Sequence, residues 1–373
     1  MNPITEQKCP KCGAPMRFDP GSGLLVCDNC GNWITLDEAG KAPEPKQEGT
    51  EQPYIPADTA QIDGLNMDQL LAEATDPDAA DLPVYNCVSC GAEVIAPPEQ
   101  VALTCPYCRN NIVLTNKVSG KLRPDGVIPF KIQSKDLSAA VRRFYRGKKL
   151  LPAGFFSEAR MGKVTGVYVP FWVFDGRMSG TLYYRGVRSK SSNRGDYIVT
   201  ETKYYSFVRE AALDFQGLPV DAGSKMDDRL MDSLEPFDTG EAKAFDMGYL
   251  AGFTADRFDQ SDSDLSDRAK ARMYRTVQSL TLAQASSGYS SVDPRGQSLR
   301  SELNAKYLLF PVYMFDVSHR GRNYHFAVNG QTGKVVGELP EASSTAALYF
   351  AKRAGLVSAA ILAFDIILYL AGH

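Results

Sequence analysis

Apolar and polar positions follow different periods in different parts of this chain. "VYVPFWVFDG" (Val167–Gly176) and "LLFPVYMFDV" (Leu308–Val317) read as strands, and they echo each other. In both, a proline is followed at two-residue steps by an aromatic residue and then by Phe-Asp, so that Pro170 matches Pro311, Trp172 matches Tyr313 and Asp175 matches Asp316. Each leads into alternating residues that suit a hairpin, "GTLYYRGVR" and "NYHFAVNGQTGKVVGEL", the second turning through Asn329-Gly330 and Gly333. "KLRPDGVIPFKI" adds an entry strand after a Pro-Asp-Gly turn. The pattern predicts a duplicated antiparallel β framework.

Helical spacing appears elsewhere. Leu137, Val141, Phe144 and Tyr145 recur along "SKDLSAAVRRFYRGKK", with Ser134 as its expected N-cap. "AKAFDMGYLAGFTADRF" and "DLSDRAKARMYRTVQSLTLAQA" are expected to be helices, interrupted by the acidic stretch from Asp259 to Asp267. "YYSFVREAALDF" (Tyr204–Phe215) reads as a strand passing into a loop or short helix. Helices set against an antiparallel sheet make an α+β domain over residues 118–341.

The last segment has no polar face. From Leu356 to Ala371 every residue is apolar except Ser358 and Asp365. At 1.5 Å rise this stretch covers roughly 24 Å, a little less than a hydrocarbon core, and Lys352 and Arg353 sit where snorkelling would extend it. Residues 346–373 are therefore expected to form a transmembrane-type anchor helix with the body of the chain on the cytoplasmic side. A buried core helix or an interfacial helix is the competing reading.

Composition adds a boundary. Residues 37–82 hold twelve Asp or Glu and two Lys, which marks 38–82 as an acidic linker. Within it "NMDQLLAEA" (Asn66–Ala74) reads as a short amphipathic helix or a docking motif. The 373-residue chain carries a formal charge of −3, which argues against a chain-wide attraction to nucleic acid. The start, "MNPITEQKCP", shows neither the basic nor the apolar region of a secretory signal, so a cytosolic setting is expected.

The cysteines carry the clearest chemistry. All eight fall in two copies of one frame, C-x2-C, fourteen residues, C-x2-C: Cys9, Cys12, Cys27 and Cys30, then Cys87, Cys90, Cys105 and Cys108. Four soft thiolates suit tetrahedral zinc, and paired C-x-x-C turns across a hairpin deliver them. Gly13 and Gly31 follow the second cysteine of each turn, where a tight knuckle favours positive φ; Gly91 repeats this, and Arg109 departs from it. Two ions are expected, one in a ribbon at 1–37 and one at 83–117. Each site is closed by four thiolates, which excludes an open catalytic position.

Other chemistry is sparse. His319 and His325 are too far apart to act as neighbouring ligands on one strand, and "GQTGK" is not a phosphate-binding P-loop. Asp175 and Asp316 are expected to cap turns at strand ends rather than to form a carboxylate pair. Arg142, Arg143, Arg146, Lys148 and Lys149 make the most basic run, suited to solvent, to anionic lipid or to an acidic partner. The ribbons lack clustered cations, and Trp33 with Ile34 reads as a packing pair before a base-stacking platform. No catalytic motif is found, and a non-enzymatic protein is expected.

The tandem CPxCG-type ribbons, "YVPFWVFD", "FPVYMFD" and "FAVNGQTGKVVGELP" before an apolar tail resemble a family of bacterial TFIIB-type zinc-ribbon membrane proteins. The resemblance covers most of residues 85–373. Members are often encoded beside SPFH-domain and phage-shock-type membrane stress proteins. The resemblance implies a membrane-anchored adaptor that recruits a protein partner of that kind to the bilayer. The alternative function is a nucleic-acid-binding ribbon protein of replication or transcription. It needs a basic face, which the sequence offers only at Arg142–Lys149.

Overall fold

The computed structural model describes residues 4–5, 7–39, 84–87, 92–96, 99–105, 111–114, 122–148, 150–152, 155–156, 163–340 and 343–371. The strands are β1 (Ile4–Thr5), β2 (Arg17–Asp19), β3 (Leu24–Val26), β4 (Trp33–Ile34), β5 (Val84–Asn86), β6 (Glu93–Ile95), β7 (Gln100–Thr104), β8 (Asn111–Leu114), β9 (Gly126–Val127), β10 (Thr165–Arg194), β11 (Tyr197–Asp221), β12 (Lys243–Ala244), β13 (Thr254–Asp256), β14 (Ser291–His319), β15 (Arg322–Asn329) and β16 (Val335–Gly337). The helices are α1 (Leu36–Ala39), α2 (Leu137–Tyr145), α3 (Asp228–Leu234), α4 (Asp262–Ala285) and α5 (Ser343–Ala371). The fold is α+β with a large, mainly antiparallel sheet. Two compact units form, one from residues 1–120 with 246–255, the other from 121–245 with 256–373.

In the first unit β2, β3 and β4 make a small antiparallel sheet, β5 pairs with β6, and β8 pairs with both β7 and β1. Residues 246–255 pack on the first ribbon. The Phe18 N–H donates to the Ala251 carbonyl at 2.9 Å, and the Tyr249 ring meets Phe18 edge-on at 5.1 Å. Gly248 lies so close to Leu36 that a Cβ there would collide with it. The helix expected through this segment is absent. Asp246 instead accepts from the Gly248 N–H and starts a short 3-10 turn, Met247–Leu250, and Gly252 then turns at φ +87°.

The second unit is organised by β10, whose neighbours are β11 and β14. The echoing segments of the sequence are these two central strands, β10 and β14, running antiparallel with Val169 opposite Phe310. The two hairpins that leave them end alike: Asp221 stands opposite Phe171, and Asn329 stands opposite Val312. The next N–H then closes on the matching proline carbonyl, Ala222 to Pro170 and Gly330 to Pro311.

Alternation along β10 sends side chains to two layers. Val167, Val169, Phe171 and Val173 pack with Leu308, Phe310, Val312 and the α3 residues Met231 and Leu234. Phe171 stacks on Phe310 at 4.3 Å. On the opposite face, Phe174 packs with Leu265 and Ala269 of α4, and Met178, Leu182 and Tyr184 pack with Met273 and Val277.

The helix α4 buries Leu265, Ala269, Met273, Val277, Thr281 and Ala285, a stripe at intervals of four. The acids before it, expected to interrupt the helix, begin it. Ser261 and Asp264 form a capping box, and Asp262 and Asp264 face the positive end of the helix dipole. Two further expectations change. β11 continues as strand through Tyr204–Phe215, with Phe207, Ala211, Leu213 and Phe215 turned toward the α4 layer and Val208, Glu210 and Ala212 exposed. Ser134 opens a 3-10 turn, and Asp136 takes the N-cap position of α2 without a side-chain cap bond.

At the C-terminal end the expected helix forms, as α5. Phe350, Leu356, Val357, Ile361, Leu362, Phe364, Ile366 and Ile367 on it are each more than half exposed. Among the described residues no helix is long and apolar enough to cross a membrane. The transmembrane-type reading of residues 346–373 is thus corrected to an exposed apolar helix. The linker from residue 40 to residue 82, with its Asn66–Ala74 segment, lies outside the described residues.

The motif "NGQTGK" is a clasp. Asn329, fully buried, donates through Nδ2 to the carbonyls of Leu234 and Pro236, and its Oδ1 accepts from the N–H groups of Gln331 and Thr332. Replacing Asn329 with Ala strands these buried groups, each at about 1–3 kcal/mol. Urea unfolding of N329A is expected to show a loss of about 3 kcal/mol or more.

Candidate metal centre

Cys9, Cys12, Cys27 and Cys30 converge in the first unit, with all four Sγ atoms within 4.8 Å of one another. Cys9 to Cys30 is 3.6 Å and Cys12 to Cys27 is 3.5 Å. Four sulfurs at about 2.3 Å from one tetrahedral ion stand about 3.8 Å apart, so the cluster has the dimensions of a zinc site.

Two matching knuckles build it. The Cys9 N–H donates to Ala14 O and the Gly13 N–H to Cys9 O; the Cys27 N–H donates to Asn32 O and the Gly31 N–H to Cys27 O, all at 2.8–2.9 Å. Gly13 and Gly31 have φ of +71° and +69°, which side-chain-bearing residues rarely adopt. The local backbone thus presents sulfurs in pairs, and the β2–β3 hairpin brings the pairs together. Cys9 and Cys27 are buried, Cys30 is half-buried and Cys12 is exposed.

The sulfurs are unequal. The Ala14 backbone N–H and then the Asn29 side chain stabilise the Cys12 thiolate and bring its pKa down to about 6. Burial opposes ionisation of Cys9, but the N–H groups of Lys11 and Cys12 outweigh it and lower its pKa. At Cys30 the Asn32 N–H favours the thiolate, yet its bonds to Cys12 and the other cysteines, with burial, push the pKa up to about 12. A divalent ion supplies the positive charge this crowded tetrad lacks, and binding it releases protons.

In the second frame, Cys87 and Cys105 are buried in one apolar cluster with Val94, Ala96, Leu103, Ile112 and Leu114. Cys90, Cys108, Gly91 and Arg109 lie outside the described residues. What is described repeats the first ribbon 78 residues on. The Cys87 N–H donates to Ala92 O as Cys9 does to Ala14 O. Val26↔Trp33 recurs as Thr104↔Asn111, and Leu25↔Ile34 as Leu103↔Ile112.

Other residues singled out in the sequence do not assemble into a site. Asp175 and Asp316 sit within strands rather than at their ends. Asp175, beside a bulge in β10, accepts from the Gly217 N–H and pairs with Lys306 at 3.1 Å. Asp316 meets His325 Nδ1 at 2.7 Å on an exposed face. Trp33 is 60% exposed, which corrects its reading as half of a packing pair.

One buried carboxylate escaped sequence reasoning. Asp221 is fully buried; its Oδ1 accepts from the Gly223 N–H, while Oδ2 has no hydrogen-bond partner among the described residues. Burial first, with Asp228 adding, raises its pKa to about 7. Its structural counterpart on the other hairpin is Asn329, and only the two registers together reveal this.

The comparisons with known proteins agree with the continuity of the chain. It is 34% identical over 353 residues to a protein of Bacillus subtilis (strain 168) named "Uncharacterized protein YdjG", covering 94% of this chain and 95% of that one. The chain belongs to the YdjG family. No family model and no solved structure matches it. The match spans far more of the chain than a single ribbon.

Two outcomes are expected. Zinc affinity falls as pH drops from about 7 to about 5, because protons compete for the thiolates, and a competitive chelator titration reads this directly. Asp221 stays protonated in the folded chain after the unfolded one has ionised, so it costs stability as pH rises from about 4 to about 7. D221N removes that slope, and urea unfolding at pH 5 and pH 8 should show a clearly larger gain for the variant at pH 8.

Proposed function

We propose that this protein is a non-enzymatic adaptor held at a membrane, with zinc ribbons as its rigid recognition modules. The observation that carries this reading is the closure of the Cys9–Cys12–Cys27–Cys30 cluster. All four ligand positions are thiolates, so a bound zinc has no vacant position for substrate or activated water. Such an ion shapes a surface instead. A second ion in the Cys87–Cys90–Cys105–Cys108 frame is part of the same proposal, supported by the repeated knuckle and register. Exposed Trp33, beside the first metal cluster, is the kind of large amphipathic side chain that anchors protein interfaces.

Membrane attachment is supported by α5. A helix that exposes apolar side chains along its length needs a cover, and a bilayer supplies one. The body would then lie on the cytoplasmic side. The recruited partner in this reading is an SPFH-domain or phage-shock-type protein, following the family resemblance, and the setting is a membrane stress response. Two modules on one chain would gain from effective concentration.

Fractionation with affinity recovery tests the proposal. The full chain is expected in the membrane fraction, and a chain ending at Pro340 in the soluble fraction. C12S should stay with the membrane and lose its protein partner. Recovery of replication or transcription factors, or an unchanged distribution without α5, would count against the reading.

A further inference from the structure

Neither the metal cluster nor α5 accounts for the far end of β10 and β11. Pairing of β10 with β14 stops at Val187↔Ser291, while β10 and β11 stay paired to Arg194↔Tyr197. Beyond Val187 the sheet is a two-stranded ribbon that reaches roughly 20 Å further. It turns through Gly195-Asp196, with Gly195 at φ +63°, as a tight hairpin requires.

The β11 side of the tip is apolar, facing a polar β10 side (Ser192, Asn193, Arg194) and the turn residue Asp196. Tyr197 and Ile198 are 77% and 75% exposed, and Val199 is exposed as well. Neighbours on a strand point to opposite faces, so Ile198 lies on one face and Tyr197 and Val199 on the other. An isolated two-stranded ribbon is marginal in water, and apolar residues on both of its faces do not help it.

Behind the tip the charges are arranged against the usual rule. Arg188 stands directly opposite Lys203, a like-charge cross-strand pair that is unfavourable by itself. Lys203 reaches Glu201 at 3.0 Å. Among the described residues no ion pair reaches Arg188, while Lys190 stands opposite Glu201, the one carboxylate lining this face. The Arg188 guanidinium lies over the rings of Tyr205 and Tyr289, at 5.1 and 4.9 Å. The two rings hold the guanidinium, and among the described residues no acceptor takes its N–H groups, which suit an anion. These side chains line an open cradle of about 520 Å³.

We propose that this hairpin docks on an anionic phospholipid surface. Tyr197, Ile198 and Val199 enter the interfacial layer, and Arg188, Lys190 and Lys203 take lipid phosphates. The scale fits. Lys190 lies about 13 Å back from the turn. With the tip immersed by roughly 5–10 Å, Lys190 stands within a Debye length of about 8 Å of the surface, and Arg188 and Lys203, about 20 Å back from the turn, reach the phosphates as the ribbon tilts. The proposal takes its membrane setting from the function proposed above, but it does not depend on α5.

The test uses the full chain carrying Ile198→Trp, its emission read as the difference from wild type. Phosphatidylcholine vesicles with phosphatidylglycerol should shift that emission to the blue, and pure phosphatidylcholine vesicles should not. Adding Arg188→Ala, Lys190→Ala and Lys203→Ala should raise the lipid concentration at half-shift on the order of 10- to 100-fold. Lys203→Arg alone should leave it unchanged. An equal shift on neutral lipid, or an equal shift without the three cations, would overturn the proposal. So would a shift induced by an oligonucleotide alone, which would assign the cradle to nucleic acid. Co-sedimentation of the same samples with neutral vesicles reads α5 separately, so pelleting without an anionic shift removes the hairpin proposal and leaves the tail reading standing.

Discussion

Four sulfur atoms converging on one point are the constraint on which the N-terminal unit depends. The first ribbon offers a core of a few side chains, chiefly Met16, Phe18 and Leu25. Segments this small rarely bury enough apolar surface to hold themselves together. The knuckles at Gly13 and Gly31 preset the sulfurs in pairs, and an ion held by them would convert those pairs into a cross-link. Binding energy of that kind becomes folding energy. The surface around the cysteine cluster, Trp33 included, would then inherit its rigidity from the clamp.

The larger unit solves a different problem with a repeated device. A proline-bearing strand pairs with its own echo, each strand feeds a hairpin, and each hairpin ends in a buried Asp or Asn. At Asn329 the amide satisfies four backbone groups and fastens the segment after α3. At Asp221 the matching carboxylate leaves one oxygen without a partner among the described residues. The two halves share a frame but differ in how completely each closing side chain is satisfied. That difference makes Asp221 the pH-sensitive member of the pair.

Legibility in the sequence followed the range of the interaction. The first metal cluster was readable because its ligands come in local C-x-x-C turns, and α4 because its buried residues recur every fourth position. β11 was only half legible. "REAAL" favours a helix locally, and what makes it strand is pairing with β10, which no local window contains. Residues 246–255 were misread for a similar reason: Leu250 and Phe253 suggest a helical stripe, but Gly248 is needed for close approach to Leu36 and Gly252 for a turn. The equivalence of Asp221 with Asn329, and the cations stacked behind the β10–β11 tip, depend on cross-strand register and were out of reach.

The zinc-to-chain ratio of the full-length protein, purified without added metal and measured by inductively coupled plasma mass spectrometry, tests the central claim most directly. Two zinc ions per chain, with all eight thiols protected from alkylation until chelator is added, is the result the account predicts. A metal-free chain whose cysteines are disulfide-bonded or freely alkylated would contradict it.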